Sequence, residues 1–203
     1  MQNPLACINT GLLHSYSTIT PEVRIIAAIV KRWAKRRNIN DPSHHTLSSY
    51  GYIIMLLHFM TTHKAADNGG VESIFYKKDQ GCPLLPNLQW MDQRWLQSAP
   101  GTKYSEWQQK PSNQYTTMKH PTEEKYVVNT YYLRINEQPV HSALTKKIES
   151  NTAKSPPVGY LLSAFFKYYA FHFDYKKHIV SLNARTQSGP IEREAKAESD
   201  GWK

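Results

Sequence analysis

A mainly α-helical fold carrying a few short strands is the class this sequence predicts. Four stretches repeat apolar residues every three to four positions, the spacing that puts them on one face of a helix. Each stretch is fronted by a cap-forming residue or a proline, which marks a helix start. Runs rich in β-branched and aromatic residues are few and short.

The first helix opens at Asn3-Pro4, with Asn3 as cap and Pro4 at a position where its missing N–H costs nothing. Leu5, Ile8, Leu12 and Tyr16 form its apolar stripe. Thr20-Pro21-Glu22 starts the second, with Thr20 as cap and Val23, Ile26, Ala27, Val30 and Ala34 as the buried face. Asn38–Pro42 stops it. The third helix is expected to begin near Ser43–Thr46 and run to about Thr61, with Leu47, Tyr50, Ile54, Leu57 and His58 inward. Gly51 interrupts it at a cost of about 1 kcal/mol relative to alanine. Beyond Thr61 the pattern weakens. Asn68-Gly69-Gly70 reads as a loop, and Gly81, Pro83, Pro86, Pro100 and Gly101 break the section around residues 80–101. Leu88–Leu96 has room for a short helix. Residues 97–121 read as a long polar connection, and Val127–Ile135 as an extended segment or short helix. Val158–Phe173 is strongly helical, with Leu161, Leu162, Phe165, Tyr168, Tyr169 and His172 inward, and Ile179–Leu182 reads as a short strand. From Ala184 the chain is polar, with no closing element expected and a truncated look near Trp202. The organisation is thus a helical region over 1–66, a variable and partly irregular insertion over 67–150, a second helical segment over 151–186 and a polar tail over 187–203.

With 40% apolar and 12% aromatic residues the chain can build a core, which argues against wholesale disorder. Twenty-five Lys and Arg against 16 Asp and Glu leave a formal charge of +9, favouring an anionic partner such as nucleic acid. Cys7 and Cys82 supply neither a disulfide framework nor a Cys-rich zinc site. Residues 1–15 do not read as a secretory leader, and the apolar run around Tyr52–Met60 is too short to span a bilayer. An intracellular protein without a membrane partner is expected, with nucleus and cytoplasm not distinguished.

One region concentrates groups suited to a phosphorylated ligand. Lys31 and Lys35 stand four apart on one helix face, an arrangement that is mildly unfavourable unless an anion lies between them. Ser49 sits near a helix start, where free N–H groups and the dipole favour phosphate. Tyr50 offers a flat ring for stacking. Asn9 and Thr10 add sugar or base hydrogen bonds if the first helix packs alongside. The bland readings are surface lysines, a backbone-capping Ser49, a core Tyr50 and a structural Asn9. There is no phosphate loop of the Walker type and no dinucleotide glycine pattern. The histidines lack metal-ligand spacing, so no metal ligand and no catalytic residue is assigned.

The run NPLACINTGLLHSY, then VKRWAKRRNIN and TLSSYGYIIMLLHF within residues 3–60, resembles the central helical region of the noncanonical poly(A) polymerase and terminal uridylyltransferase family. VGYLLSAFFKYYAFHFDYKKHIVSL, residues 158–182, is similar to that family's poly(A) polymerase-associated (PAP-associated) segment. The resemblance implies the helical central domain of a poly(A) polymerase-like nucleotidyltransferase. It implies that Asn9 and Thr10 meet the ribose and base, Lys31 and Lys35 the β- and γ-phosphates, Ser49 a phosphate oxygen and Tyr50 the base. The implied reaction extends an RNA 3′ end without a template, adding UMP or AMP from UTP or ATP. Two divalent ions, Mg2+ or Mn2+, assist in the complete enzyme.

Departures from the family pattern bear on activity. The metal carboxylates and Gly-Ser loop belong to a nucleotidyltransferase domain that precedes the matched region in the family, normally in the same chain. No Asp-x-Asp pair occurs here. Glu192-x-Glu194 has similar spacing but reads as a solvated tail. The chain alone is therefore expected to bind RNA and nucleotide without polymerising and to hold no metal itself, and its protein partners are not legible. The alternative is a non-catalytic RNA-binding or scaffold protein derived from the same fold. His45 stands where the family usually has a glycine, which implies different loop geometry if that glycine has special backbone angles. The extension from Trp90 to Thr122 reads as a disordered insertion or, through Trp95, Tyr104, Trp107 and its lysines, as an RNA-contacting one.

Overall fold

A computed structural model of the chain describes residues 4–66, 70–73, 82–89, 95, 117–119, 127–129, 132, 146–150, 155–182 and 191–192. The observed class is the expected one: helices dominate, and the strands are short antiparallel pairs.

Helix α1 (Pro4–Ile19) buries Leu12 and Tyr16, while Leu5 and Ile8 are half-buried at its open end. Asn3, the expected cap, lies outside the described residues. Helix α2 (Pro21–Arg36) buries Val23, Ile26, Val30 and Ala34, with Ala27 at the edge of that face. Thr20 occupies the cap position, but its hydroxyl bonds the Glu22 carboxylate and not a backbone N–H. The far end of α2 closes in a left-handed turn at Asn38 (φ 54°). Asn38 N–H donates to Lys35 O and Ile39 N–H to Ala34 O, satisfying carbonyls that the helix leaves open.

The third helix starts later than the sequence predicts. Pro42–His44 forms a separate 3-10 turn, and α3 runs from Ser49 to Thr62. Asp41 causes the delay. Its carboxylate accepts from Ser43 N–H at 3.0 Å, and its carbonyl accepts from the Thr46 hydroxyl at 2.9 Å, so these residues are held in a loop. His45 then takes left-handed angles (φ 58°, ψ 26°), which a right-handed helix cannot contain. Leu47 and Tyr50 consequently do not face inward; they are 48% and 39% exposed. Leu57 and His58 are buried as expected, and Ile54 is half-buried. From Leu56 to Thr62 every residue of α3 is buried, the signature of a central helix surrounded by others.

Helix α4 (Val158–Lys167) packs on α2, and its Trp33–Phe166 ring pair has centroids 4.7 Å apart. The expected single helix to Phe173 ends at Lys167 and passes into one π turn, Tyr168–His172. Leu161, Phe165 and Tyr169 face inward, but His172 is exposed. Tyr169 joins the C-terminal segment to α3. Its hydroxyl donates to Met55 O and lies 2.9 Å from His58 Nδ1.

Three two-stranded antiparallel ladders complete the described fold. β1 (His63–Ala65) pairs β2 (Val71–Ser73), and β3 (Thr117–Lys119) pairs β4 (Val127–Asn129). β5 (His178–Ile179) pairs β6 (Ile191–Glu192). Strand β3 falls where the sequence reads as an irregular connection, and 127–129 takes the extended alternative. The expected strand at Ile179–Leu182 is shifted back to His178–Ile179. Ile191–Glu192 gives the polar tail a paired strand that the sequence did not announce. Within the stretch expected to hold a short helix, Leu88–Leu96, Leu88 and Gln89 form a bend and Trp95 is helical. Trp95 is 1% exposed, which removes it from any RNA-contacting surface. Tyr104 and Trp107 lie outside the described residues. Among the described residues no helix is long and apolar enough to cross a membrane.

Candidate functional site

A groove of about 380 Å3 lies between α1 and α2 and is floored by α3. Its walls follow from helical spacing. On α1, Thr10, His14 and Ser17 succeed one another by one turn. On α2, Arg24, Ala28 and Lys31 do the same, and the small Ala27 and Ala28 keep the helix surface low between the two cations. Ile53 and Leu57 of α3 close the bottom with apolar surface. The result is an apolar floor beneath a basic wall, suited to a ligand with a ring and negative charge.

The groove brings Thr10 and Lys31 together. Asn9, Lys35, Ser49 and Tyr50 are not among its lining residues. Lys35 is exposed one turn beyond Lys31, in the last turn of α2. Ser49 lies one turn before Ile53, at the first position of α3. Tyr50 is adjacent and partly exposed, and the burial of the rest of its ring pushes its phenol above the ordinary value. Asn9 is half-buried beside Thr10 on α1.

The hydrogen bonds define what each group still offers. Thr10 donates its hydroxyl to Ala6 O at 2.8 Å, so its oxygen remains an acceptor. Ser49 Oγ accepts from the Asn40 amide at 3.2 Å, which leaves the Ser49 hydroxyl able to donate. Capping falls to Ser48, whose Oγ accepts from Gly51 N–H at 3.1 Å. The capping reading of Ser49 therefore transfers to its neighbour.

His14, Ser17 and Arg24 line the groove without having been singled out in the sequence. Helical spacing carried the signal: His14 follows Thr10 by four, and Arg24 precedes Lys31 by seven. Among the described residues no group of three or more His, Cys, Asp or Glu side chains is placed to hold a metal ion.

Residues 157–202 match the family model described as Cid1 family poly A polymerase. The poly(A) RNA polymerase GLD2-B of Xenopus laevis is 28% identical over 182 residues, covering 90% of this chain and 26% of that protein. The terminal uridylyltransferase cid1 of Schizosaccharomyces pombe is 47% identical over 58 residues, covering 29% of this chain and 14% of that protein. The chain thus spans about a quarter of the GLD2-B length. A crystal structure of the Cid1 poly(U) polymerase with Mg 3′-dATP bound matches with a TM-score of 0.57 at 23% identity, over 96% of this chain and 44% of that one. A structure of a cytoplasmic RNA terminal U-transferase matches with a TM-score of 0.54 at 22% identity, over 99% of this chain and 47% of that one. Residues 157–202 are therefore similar to the PAP-associated segment of Cid1 family poly(A) polymerases, and the chain has a mainly helical fold like that of the Cid1 structures.

Proposed function

We propose that this chain forms the nucleotide-gripping part of an RNA 3′-end nucleotidyltransferase adding UMP or AMP. The α1–α2 groove, with Thr10 and Lys31 on facing walls, carries this reading. Lys31 and Lys35 hold the β- and γ-phosphates, which also relieves their mutual repulsion. The Ser49 hydroxyl donates to a phosphate oxygen, and Tyr50 stacks on the base through its exposed face. Thr10 and Asn9 meet the ribose and base, Thr10 as acceptor. The carboxylates that would hold divalent ions are not assembled among the described residues, so no metal-dependent step is assigned to this chain. Its contribution is to bind and orient the triphosphate and the RNA end.

Titration of the chain with UTP and ATP is the test. Lys31→Ala and Lys35→Ala are each expected to weaken binding about tenfold, equivalent to roughly 1.4 kcal/mol for one charge-assisted phosphate contact. Equal affinity for all three proteins overturns the clamp. The +9 charge supports a second reading, a non-catalytic RNA-binding or scaffold protein on the same fold. RNA binding without any nucleotide binding selects that reading.

A further inference from the structure

A second cavity, of about 520 Å3, opens between the end of α3, the β1–β2 hairpin and α4 with its π turn. Among the described residues it shares no lining residue with the α1–α2 groove. Its volume lies inside the ordinary range for small-ligand sites, roughly 300–1,000 Å3. Phe59, Tyr168 and Phe173 provide aromatic walls, and no carboxylate is among its described lining residues. Lys167 is the one Lys or Arg among its described lining residues.

His63 gives the cavity directional chemistry. The side chain is 5% exposed, and its Nδ1 lies 2.9 Å from Phe59 O. A carbonyl only accepts, so Nδ1 carries the proton and Nε2 keeps a lone pair. Among the described residues nothing donates to Nε2. The ring is fixed by a stack on Phe59, with centroids 4.4 Å apart, and by the edge of Tyr168 at 4.5 Å. Burial holds the imidazole down to about pKa 4, so this acceptor is neutral at pH 7. The cavity therefore suits a planar ring that has an N–H to donate and negative charge nearby. Those are the properties of a nucleotide. One permanent cation among the described lining residues matches a single phosphodiester better than a triphosphate.

We propose that this cavity receives one unpaired nucleotide of an RNA strand, its base between the aromatic walls and an N–H on His63 Nε2. The inference rests on the reading of RNA as substrate and adds a site that grips the strand away from the end being extended. Ile53 in the groove floor and His63 are ten residues apart, roughly 15 Å along the helix direction.

The test uses the full chain with 15N-labelled histidine, with UMP, AMP and six-nucleotide oligo-U and oligo-A as probes at low salt. The oligonucleotides are expected to move the His63 Nε2 resonance, because that nitrogen gains a hydrogen bond. His63→Phe keeps the ring shape without the acceptor and is expected to lower oligonucleotide affinity about fivefold, the worth of one hydrogen bond. Ser163→Trp, at an exposed lining position, fills the cavity and lowers affinity without disturbing His63 packing; it decides the matter if His63→Phe does not fold. A response to UMP or AMP as strong as to the oligonucleotides overturns the strand as occupant. Oligonucleotide binding that leaves Nε2 unmoved, and that Ser163→Trp does not weaken, overturns this cavity while RNA binding stands. Absence of oligonucleotide binding at low salt overturns RNA as the substrate as well.

Discussion

His45 is a residue whose sequence context and backbone point the same way. It occupies the place where the resembled family usually has glycine, and its φ of 58° lies in the region that glycine enters without strain. Its side chain is exposed and makes no hydrogen bond among the described residues. Left-handed angles cost an L-residue about 1 kcal/mol or slightly more, and part of that is returned because glycine is freer in the unfolded chain. His45→Gly is therefore expected to raise stability by about 0.5–1 kcal/mol, seen as a higher denaturant midpoint at unchanged slope. An unchanged or lower midpoint would mean that the imidazole contributes something its exposed position does not reveal. The structural consequence of the substitution was legible in the residues; the extra role of Asp41 was not. A single Asp beside Pro42 does not announce that it will gather Ser43, His44 and Thr46 into one knot. The Ser43 and His44 hydrogen bonds hold its carboxyl below the usual range.

At the scale of elements, the periodic helices were readable and their ends were not. Helical spacing in α2 identified Val23, Ile26, Val30 and Ala34 because the face is set locally, by 3.6 residues per turn. The start of α3 depends instead on competition between Asp41, Thr46 and Ser48 for backbone groups, which spacing does not resolve. The ladders escaped for a related reason. Ile191 pairs Ile179 across the intervening chain, so neither two-residue strand has a strong pattern of its own. Among the candidate ligand groups, Thr10 and Lys31 meet in one groove because regular helices carry them there. Ser49 and Tyr50 follow the delayed helix start and stand at its margin. The division of labour between Ser48 and Ser49 is testable. Ser48→Ala removes the cap bond to Gly51 N–H and is expected to cost about 1 kcal/mol of stability. Ser49→Ala is expected to leave stability within about 0.5 kcal/mol while weakening UTP and ATP binding several-fold. Denaturant unfolding and nucleotide titration of both variants check this. Equal stability losses with unaltered binding would return Ser49 to a purely structural role.

At the scale of the whole molecule, contacts between distant parts of the sequence hold the helices together. Trp33 reaches both Tyr52 and Phe166, and Asn87 donates to Leu182 O at 2.7 Å. Tyr16 accepts from Leu88 N–H at 2.9 Å inside the core. The buried histidines at the end of α3 make this assembly sensitive to acid. His58 is 2% exposed, and because the Tyr169 hydroxyl donates to Met55 O, its oxygen accepts from His58 Nδ1–H. Burial foremost, with the nearby His63 adding repulsion, lowers the His58 pKa to about 3. His63 is lowered to about 4, again chiefly by burial. Both titrate near 6.5 when unfolded, so between that value and their folded values the unfolded chain binds more protons than the folded one. Stability is then fully present above about pH 6.5 and falls as pH drops toward 4 and 3. Each histidine contributes a slope of up to roughly 1.4 kcal/mol per pH unit, so the pair contributes a slope of up to roughly 2.7 kcal/mol per pH unit between pH 6 and 4. Denaturant unfolding at pH 7, 6, 5 and 4.5 measures the slope, and His58→Leu separates the two contributions by removing one titrating group. Because His58 bonds Tyr169 and His63 stacks against Tyr168, backbone amides of α4 and the π turn are expected to lose hydrogen-exchange protection as stability falls. A flat stability profile from pH 7 to 4.5 would mean that the imidazoles reach water without unfolding, and the buried hydrogen bond between His58 and Tyr169 would then not be the tie between α3 and the C-terminal segment.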